Sequence, residues 1–248
     1  MQTLFGSGVM WAVPMINLAG NNVATPTPIP FGAMQEATVD FSFGKKELYG
    51  LSVFPIDVAR ATGKIDIKAK MARFQALLFN QLFGETPNAN ELKVAYQEAL
   101  SVSANNATVA AGANFSLDLG VWYANNMMPL TRAANVSAGN YVVGANGNYS
   151  FNESNNTAIL ISYAFTGANS NGSNFTINNQ LLGLSPFFKV VLNQNRRARH
   201  MTLVLNRCVA TKIGIGTKLE DFNIPDFEAS AMADDAGVVG TWSFNEAY

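Results

Sequence analysis

The chain has 248 residues, 13% of them charged and 48% hydrophobic, with a net charge of -1, one cysteine and one histidine. That length buries a core without staples; one cysteine excludes an internal disulfide, and one histidine beside it cannot complete a Cys/His zinc site. A charged fraction far below the roughly 25% of ordinary soluble domains, with no positive excess, excludes a polybasic binder of nucleic acid or membrane surface. So few charges keep copies apart poorly, which points to assembly, with a neutral, Asn-coated monomer as the alternative.

From Met1 to Gln35 the chain is uncharged, carries Pro26, Pro28 and Pro30, and alternates like a strand only over Val9 to Val13. It reads as an arm that docks on a neighbouring copy, so that loss of Met1 to Leu18 would leave a folded monomer. The apolar run from Gly8 to Gly20 contains Pro14, and the first basic residue is Lys45. It therefore lacks the build of a signal peptide or membrane span, and the chain is expected to stay in the cytoplasm where it is made. Triplets such as Asn114-Phe-Ser116 and Asn148-Tyr-Ser150 read as Asn-rich turns rather than glycosylation sites.

Thr38 to Phe43 alternates strictly, with Val39, Phe41 and Phe43 on one face and Thr38, Asp40 and Ser42 on the other. Gly44-Lys45-Lys46 reads as the turn of a hairpin into Glu47 to Phe54. Lys64 to Lys70 alternates too, setting Ile65, Ile67 and Ala69 against Lys64, Asp66, Lys68 and Lys70. Met71, Phe74, Leu77, Leu78 and Leu82 recur at helical spacing before Gly84, and predict one helix covering a sheet.

Between Ser101 and Phe188 the only charges are Asp118, Arg132 and Glu153. That shift predicts an inserted, Asn-rich domain over 89–172, within a core domain built from 1–88 and 173–248. In the insert, Tyr141 to Val143, Asn148 to Phe151 and Ala158 to Phe165 form a meander with the spacing of a small sandwich. Beyond it, Phe187 to Leu192 and Met201 to Val209 bracket a polar turn from Asn193 to His200, and Asp226 to Ala231 and Val238 to Phe244 bracket Asp234 to Gly237.

No set of residues converges on catalysis. His200 and Cys208, placed on one strand, would stand roughly 26 Å apart. The Arg196, Arg197 and Arg199 cluster lacks interleaved aromatics and reads as a solvated or interface hairpin tip. Gly214-Ile-Gly216-Thr-Lys218 departs from the phosphate-loop order, and Glu220-Asp221 and Asp234-Asp235 lack calcium-loop spacing. No catalytic, cofactor or metal residue is assigned, and the chain is expected not to be an enzyme. Trp122, Tyr123, Tyr141 and Tyr149 are read as sandwich core before sugar-stacking rings.

Several stretches resemble a family of tailed-bacteriophage structural proteins, the tail tube proteins. They are Leu4-Phe-Gly-Ser-Gly-Val-Met-Trp-Ala-Val-Pro14, Phe31-Gly-Ala-Met-Gln35, Val39 to Phe43, Lys46-Glu-Leu-Tyr-Gly50, Phe54-Pro55, Gly63 to Lys70 and Lys218 to Phe227. Gly120-Val-Trp-Tyr123, Pro129-Leu-Thr-Arg132, Tyr149-Ser-Phe151 and Ile159 to Tyr163 are similar to the small β-domain that some such virion proteins carry. The resemblance implies a mainly β chain: a tail-tube-like β-sandwich or barrel with one flanking α-helix, plus an inserted small Ig-like β-sandwich. It further implies hexameric rings that stack into a conduit for DNA, located in the virion tail after assembly in the host cytoplasm. The partners would be other copies and further tail proteins (tape measure, baseplate, a sheath where one exists), with DNA only in passage and no membrane binding.

A conduit wall should be hydrated without gripping phosphate; if the hairpin strands line it, Thr38, Asp40, Ser42, Lys64, Asp66, Lys68, Asp226, Glu228 and Ser230 are the lumen candidates, the outer wall or inter-ring contacts being the alternative place for the same residues. Val9, Trp11, Val13, Arg196, Arg197 and Arg199 are the interface candidates. A capsid decoration or baseplate protein, and a monomeric carbohydrate-binding β module, are the alternatives.

Overall fold

The computed structural model describes residues 6–17, 20–73, 78, 88–167, 172–177, 179, 183, 185–196 and 199–245. The chain divides into two compact units, one of Met1–Pro87 with Phe175–Tyr248, the other of Asn88–Asn174. Both are built almost wholly of strands. The first unit begins with β1 (Val9–Ile16), β2 (Ile29–Pro30), β3 (Met34–Tyr49) and β4 (Pro55–Met71). The second holds β5 (Asn88–Ala89), β6 (Leu92–Ser101), β7 (Asn106–Thr108), β8 (Phe115–Tyr123), β9 (Thr131–Arg132), β10 (Asn140–Val143), β11 (Asn148–Phe151), β12 (Ala158–Thr166) and β13 (Ser173–Asn174). The chain then returns to the first unit with β14 (Phe187–Arg196), β15 (Arg199–Gly214), β16 (Asp226–Met232) and β17 (Gly240–Phe244).

The first unit is one sheet in the order β2-β1-β14-β15-β16-β4-β3, with β17 also paired to β15. Its two end strands, β2 and β3, are separated in sequence only by Phe31 to Ala33, so the sheet curls until its ends meet. One face then encloses Met10, Ala12, Phe31, Ile67, Met71, Phe188, Leu205 and Phe227 in a single core. Phe31, in the link between the two end strands, lies edge-on to Phe227 of β16 with ring centroids 4.8 Å apart.

The strict alternation of β3 and β4 is what splits them into a buried and a hydrated face. Four expectations are corrected here. The pair does not turn at Gly44-Lys45-Lys46. Instead β3 runs through that point with a register shift between Phe43 and Lys45, and the reversal falls at residues 50–54. Glycine inside a strand marks a bulge as readily as a turn, and here it absorbs the irregularity.

Likewise the polar residues from Asn193 belong to strands, since β14 and β15 pair out to Arg196 and Arg199. The residues from 9 to 16 are no free arm. β1 lies between β2 and β14, and Met10 and Ala12 are fully buried, so this segment is a wall of its own unit's core. Of the expected helix, Met71 instead closes β4, opposite Met34. Leu78 is helical and fully buried, while Phe74, Leu77, Leu82 and Gly84 lie outside the described residues.

In the second unit a three-stranded sheet, β6-β12-β8, and a four-stranded sheet, β7-β11-β10-β9, enclose a second core. Tyr149, Phe151, Ile159, Ile161 and Tyr163 are each about fully buried in it. Two 3-10 turns, Gly112–Asn114 and Ala145–Gly147, pack against each other. Glycine is required there: a Cβ on Gly112 would stand 2.3 Å from the Asn146 carbonyl oxygen, and Gly147 has φ +62. The unit's first and last strands, β5 and β13, pair with each other, Asn88 opposite Asn174.

Candidate functional site

Strand register settles which polar side chains share a surface, because direct cross-strand partners in an antiparallel pair point the same way. In the first unit, Glu36 stands opposite Lys70, and Lys70 opposite Asp226. The next row runs Thr38, Lys68, Glu228, Lys212 across four strands, and the one after it Asp40, Asp66, Ser230. Ser42 faces Lys64 at the end of the set. All nine residues selected as lumen candidates thus lie on one face of β3, β4 and β16, backed by Val39, Ile67, Phe227 and Ala229 in the core. Glu36, Lys70 and Lys212, which the sequence reading did not select, complete the face.

Six of the charges on this face form three ion pairs. Lys70 Nζ lies 2.7 Å from Glu36, Lys64 Nζ 2.7 Å from Asp66, and Lys212 Nζ 3.1 Å from Glu228. Ser230 donates its hydroxyl to Asp66 at 2.8 Å. The Lys64 ammonium, with the Ser230 hydroxyl, holds the Asp66 carboxyl below the usual carboxylate range. The Glu36 carboxylate raises the Lys70 ammonium above its ordinary value. These pairs are largely exposed, so each adds little to stability. Their effect is on the field: the lysines of β4 and Lys212 of β15 stand among the carboxylates of β3, β4 and β16, so that the face as a whole is nearly balanced, although Asp40 and Asp66 stand directly opposite each other.

The interface candidates are spread out. Val9, Trp11 and Val13 alternate with the buried Met10 and Ala12 and so line the outer face of β1, Val9 being clearly exposed. Arg196 and Arg199 are partners at the end of the β14–β15 hairpin; their side chains, and the whole of Arg197, lie outside the described residues.

Two apolar features escaped the sequence reading. Pairing of β16 with β4 stops at Ile65, whereas β3 and β4 stay paired to Tyr49 and Pro55. A two-stranded ribbon therefore leaves the sheet, and its tip exposes Leu48, Tyr49, Leu51, Val53, Phe54 and Ile56. At the opposite end of β4, the loop from Ile215 to Ile224 exposes Ile215, Leu219 and Phe222 beside a groove of about 380 Å³.

His200 and Cys208 both belong to β15, near its start and past its middle. Cys208 is fully buried, and burial pushes its thiol up to about 12. A buried neutral thiol is a core residue and a poor nucleophile. A thiol-specific reagent at pH 8 is therefore expected to leave the folded protein unmodified and to label Cys208 fully in denaturant; labelling of the folded chain would contradict its burial.

In the second unit one charge is different in kind. Asp118, its side chain 5% exposed, accepts the hydroxyls of Tyr141 at 2.8 Å and Tyr149 at 3.0 Å and the Gly120 amide at 3.1 Å. Arg132 approaches to 3.9 Å from the surface. Tyr123 donates to Glu153 at 2.6 Å. Tyr141 and Tyr149 are buried in the sandwich, as befits core rings, and offer no platform to a sugar.

Among the described residues, no group of three or more His, Cys, Asp or Glu side chains could hold a metal ion, and no helix is long and apolar enough to cross a membrane. No family model matches the chain, and no curated protein matches it either.

Proposed function

We propose that this chain is a structural virion protein, a tail tube subunit whose copies close into hexameric rings and stack into a conduit for phage DNA. The single observation that carries the reading is the charge-balanced face of β3, β4 and β16. A wall that DNA must slide past has to be wetted, which the Ser, Thr, Lys and carboxylate side chains do. It must also not collect phosphates, because each lysine or arginine that neutralises one releases counterions and tightens binding. Carboxylates interleaved with lysines cancel that term. β3, which among the described residues pairs only with β4, and a projecting ribbon with an apolar tip support assembly with further copies, since such edges and patches are otherwise aggregation sites. The second unit would then stand as a decoration carried by each subunit.

Negative-stain microscopy of the purified chain over a concentration series tests the assembly: stacked rings or hollow filaments are expected, and closed shells or a persistent monomer would overturn it. The wall is tested by charge. Wild-type assemblies are expected to bind duplex DNA weakly at physiological salt. The variant Glu36→Gln/Asp40→Asn/Glu228→Gln should bind tightly, its log-log salt dependence steepening by about one for each carboxylate removed. Tight, salt-sensitive binding by the wild type would place this face elsewhere.

A further inference from the structure

Two of the exposed apolar clusters of the first unit lie at opposite ends of one strand. At the Pro55 end of β4 is the ribbon tip, where Leu51 is wholly exposed and Phe54 80% exposed. At the Met71 end is the loop, where Leu219 is 99% and Phe222 87% exposed. Met71 donates its amide to Pro225, which fixes the loop at that end. The ribbon extends ten residues of β4 past the last pairing with β16, about 33 Å at ~3.3 Å per residue.

A lone two-stranded ribbon is marginal in water. Here Leu48 and Val58, on its opposite faces, are both exposed. The tip therefore needs a partner that contacts it on more than one side. The charges of the two ends are complementary: the ribbon carries Lys45, Lys46 and Arg60 against Glu47 and Asp57, and the loop carries Glu220 and Asp221 against Lys218. Lys45 is taken by Glu47, and Asp221 by Lys218. Among the described residues, Lys46 and Glu220 have no ion-pair partner.

We infer that the ribbon tip of one copy docks on the 215–222 loop of the next copy, Leu51 and Phe54 against Leu219 and Phe222, with Lys46 facing Glu220. Two different patches at opposite ends make a head-to-tail contact, which propagates along the strand direction and is not satisfied by a two-fold dimer. The inference rests on the self-assembly proposed above and names the contact that would join successive copies along its axis.

The test uses the full chain in sedimentation velocity. Leu51→Ser/Phe54→Ser and Leu219→Ser/Phe222→Ser alter only exposed side chains and should keep the wild-type circular dichroism. Each is expected to raise the threshold concentration for assembly by about a hundredfold. Mixed one to one after separate purification, they should pair into one discrete complex of twice the mass that each forms alone, because one variant supplies an intact tip and the other an intact loop, and growth then stops. Lys46→Glu and Glu220→Lys should each raise the threshold by up to about fivefold, and together in one chain restore it.

Apolar variants that assemble at the wild-type threshold, a mixture that yields no complex larger than either variant forms alone, or charge reversals that add rather than cancel would overturn the docking while leaving self-assembly standing. A wild-type chain that stays monomeric at every concentration would overturn both.

Discussion

Asp118→Ala is expected to unfold the second unit while leaving the first intact. The substitution removes the acceptor of two buried tyrosine hydroxyls and one amide. The groups left behind cannot reach water, and leaving them unpaired costs about 3 kcal/mol or more. For a unit of this size that is a fall of more than about 10 °C in Tm. Asp118→Asn retains one carbonyl acceptor and should lose less than half as much. Hydrogen-exchange mass spectrometry reads the two units separately, and protection should vanish between 88 and 174 only. Unchanged protection there would show that water reaches the cluster.

The same cluster sets a pH limit. Burial, together with the Asp118 carboxylate, raises the hydroxyls of Tyr141 and Tyr149 well above their ordinary value. The hydrogen bond to Glu153 raises Tyr123 to about 12. In the unfolded chain these groups ionise near 10.0. The second unit's stability is thus complete below about pH 10 and is lost as pH rises above it, because only the unfolded state gives up the protons. Thermal unfolding followed from pH 8 to 11 should show a falling Tm for this unit from pH 10 upward.

Phe227→Ala should have the complementary effect. Phe227 is fully buried, with Phe31 edge-on at 4.8 Å and Phe188 at 6.2 Å between ring centroids. Truncation opens a cavity where the curled sheet meets itself, at a cost of about 3–5 kcal/mol. That is a large part of the stability of an ordinary domain. Protection in exchange should collapse across β1, β4, β14 and β16 and persist between 88 and 174. Phe227→Leu keeps most of the volume and should recover most of the loss. Retained protection across the first unit in the alanine variant would mean that the sheet can close over the gap.

The sequence makes period-two order visible and hides its interruptions. Thr38 to Phe43 and Lys64 to Lys70 could be sorted into two faces because the sheet is wet on one side and dry on the other. The grouping of the nine polar residues followed from that alternation; what the face is for did not. The reversal at residues 50–54 was invisible because Leu51, Val53 and Phe54 lack the polar turn chemistry that marks an ordinary hairpin, whereas Gly44-Lys45-Lys46 imitates it. The strand from Val9 looked like an arm because its paired residues on β2 and β14 are 17 or more positions away and no local pattern announces them. Asp118 was noted only as one of three charges in a neutral stretch. Its signal was its position, a lone acid among Leu117, Leu119 and Val121, but the tyrosines that meet it come from two other strands.

The pairing of Asn88 with Asn174 makes the second unit a cassette. The chain departs and returns across one ladder rung, about 5 Å, a gap that a short reverse turn also spans. Anything from a tight turn to a different domain with adjacent ends can therefore be grafted at this seam without altering the path of the strands on either side. A lineage could exchange the whole second unit while the first stays the same.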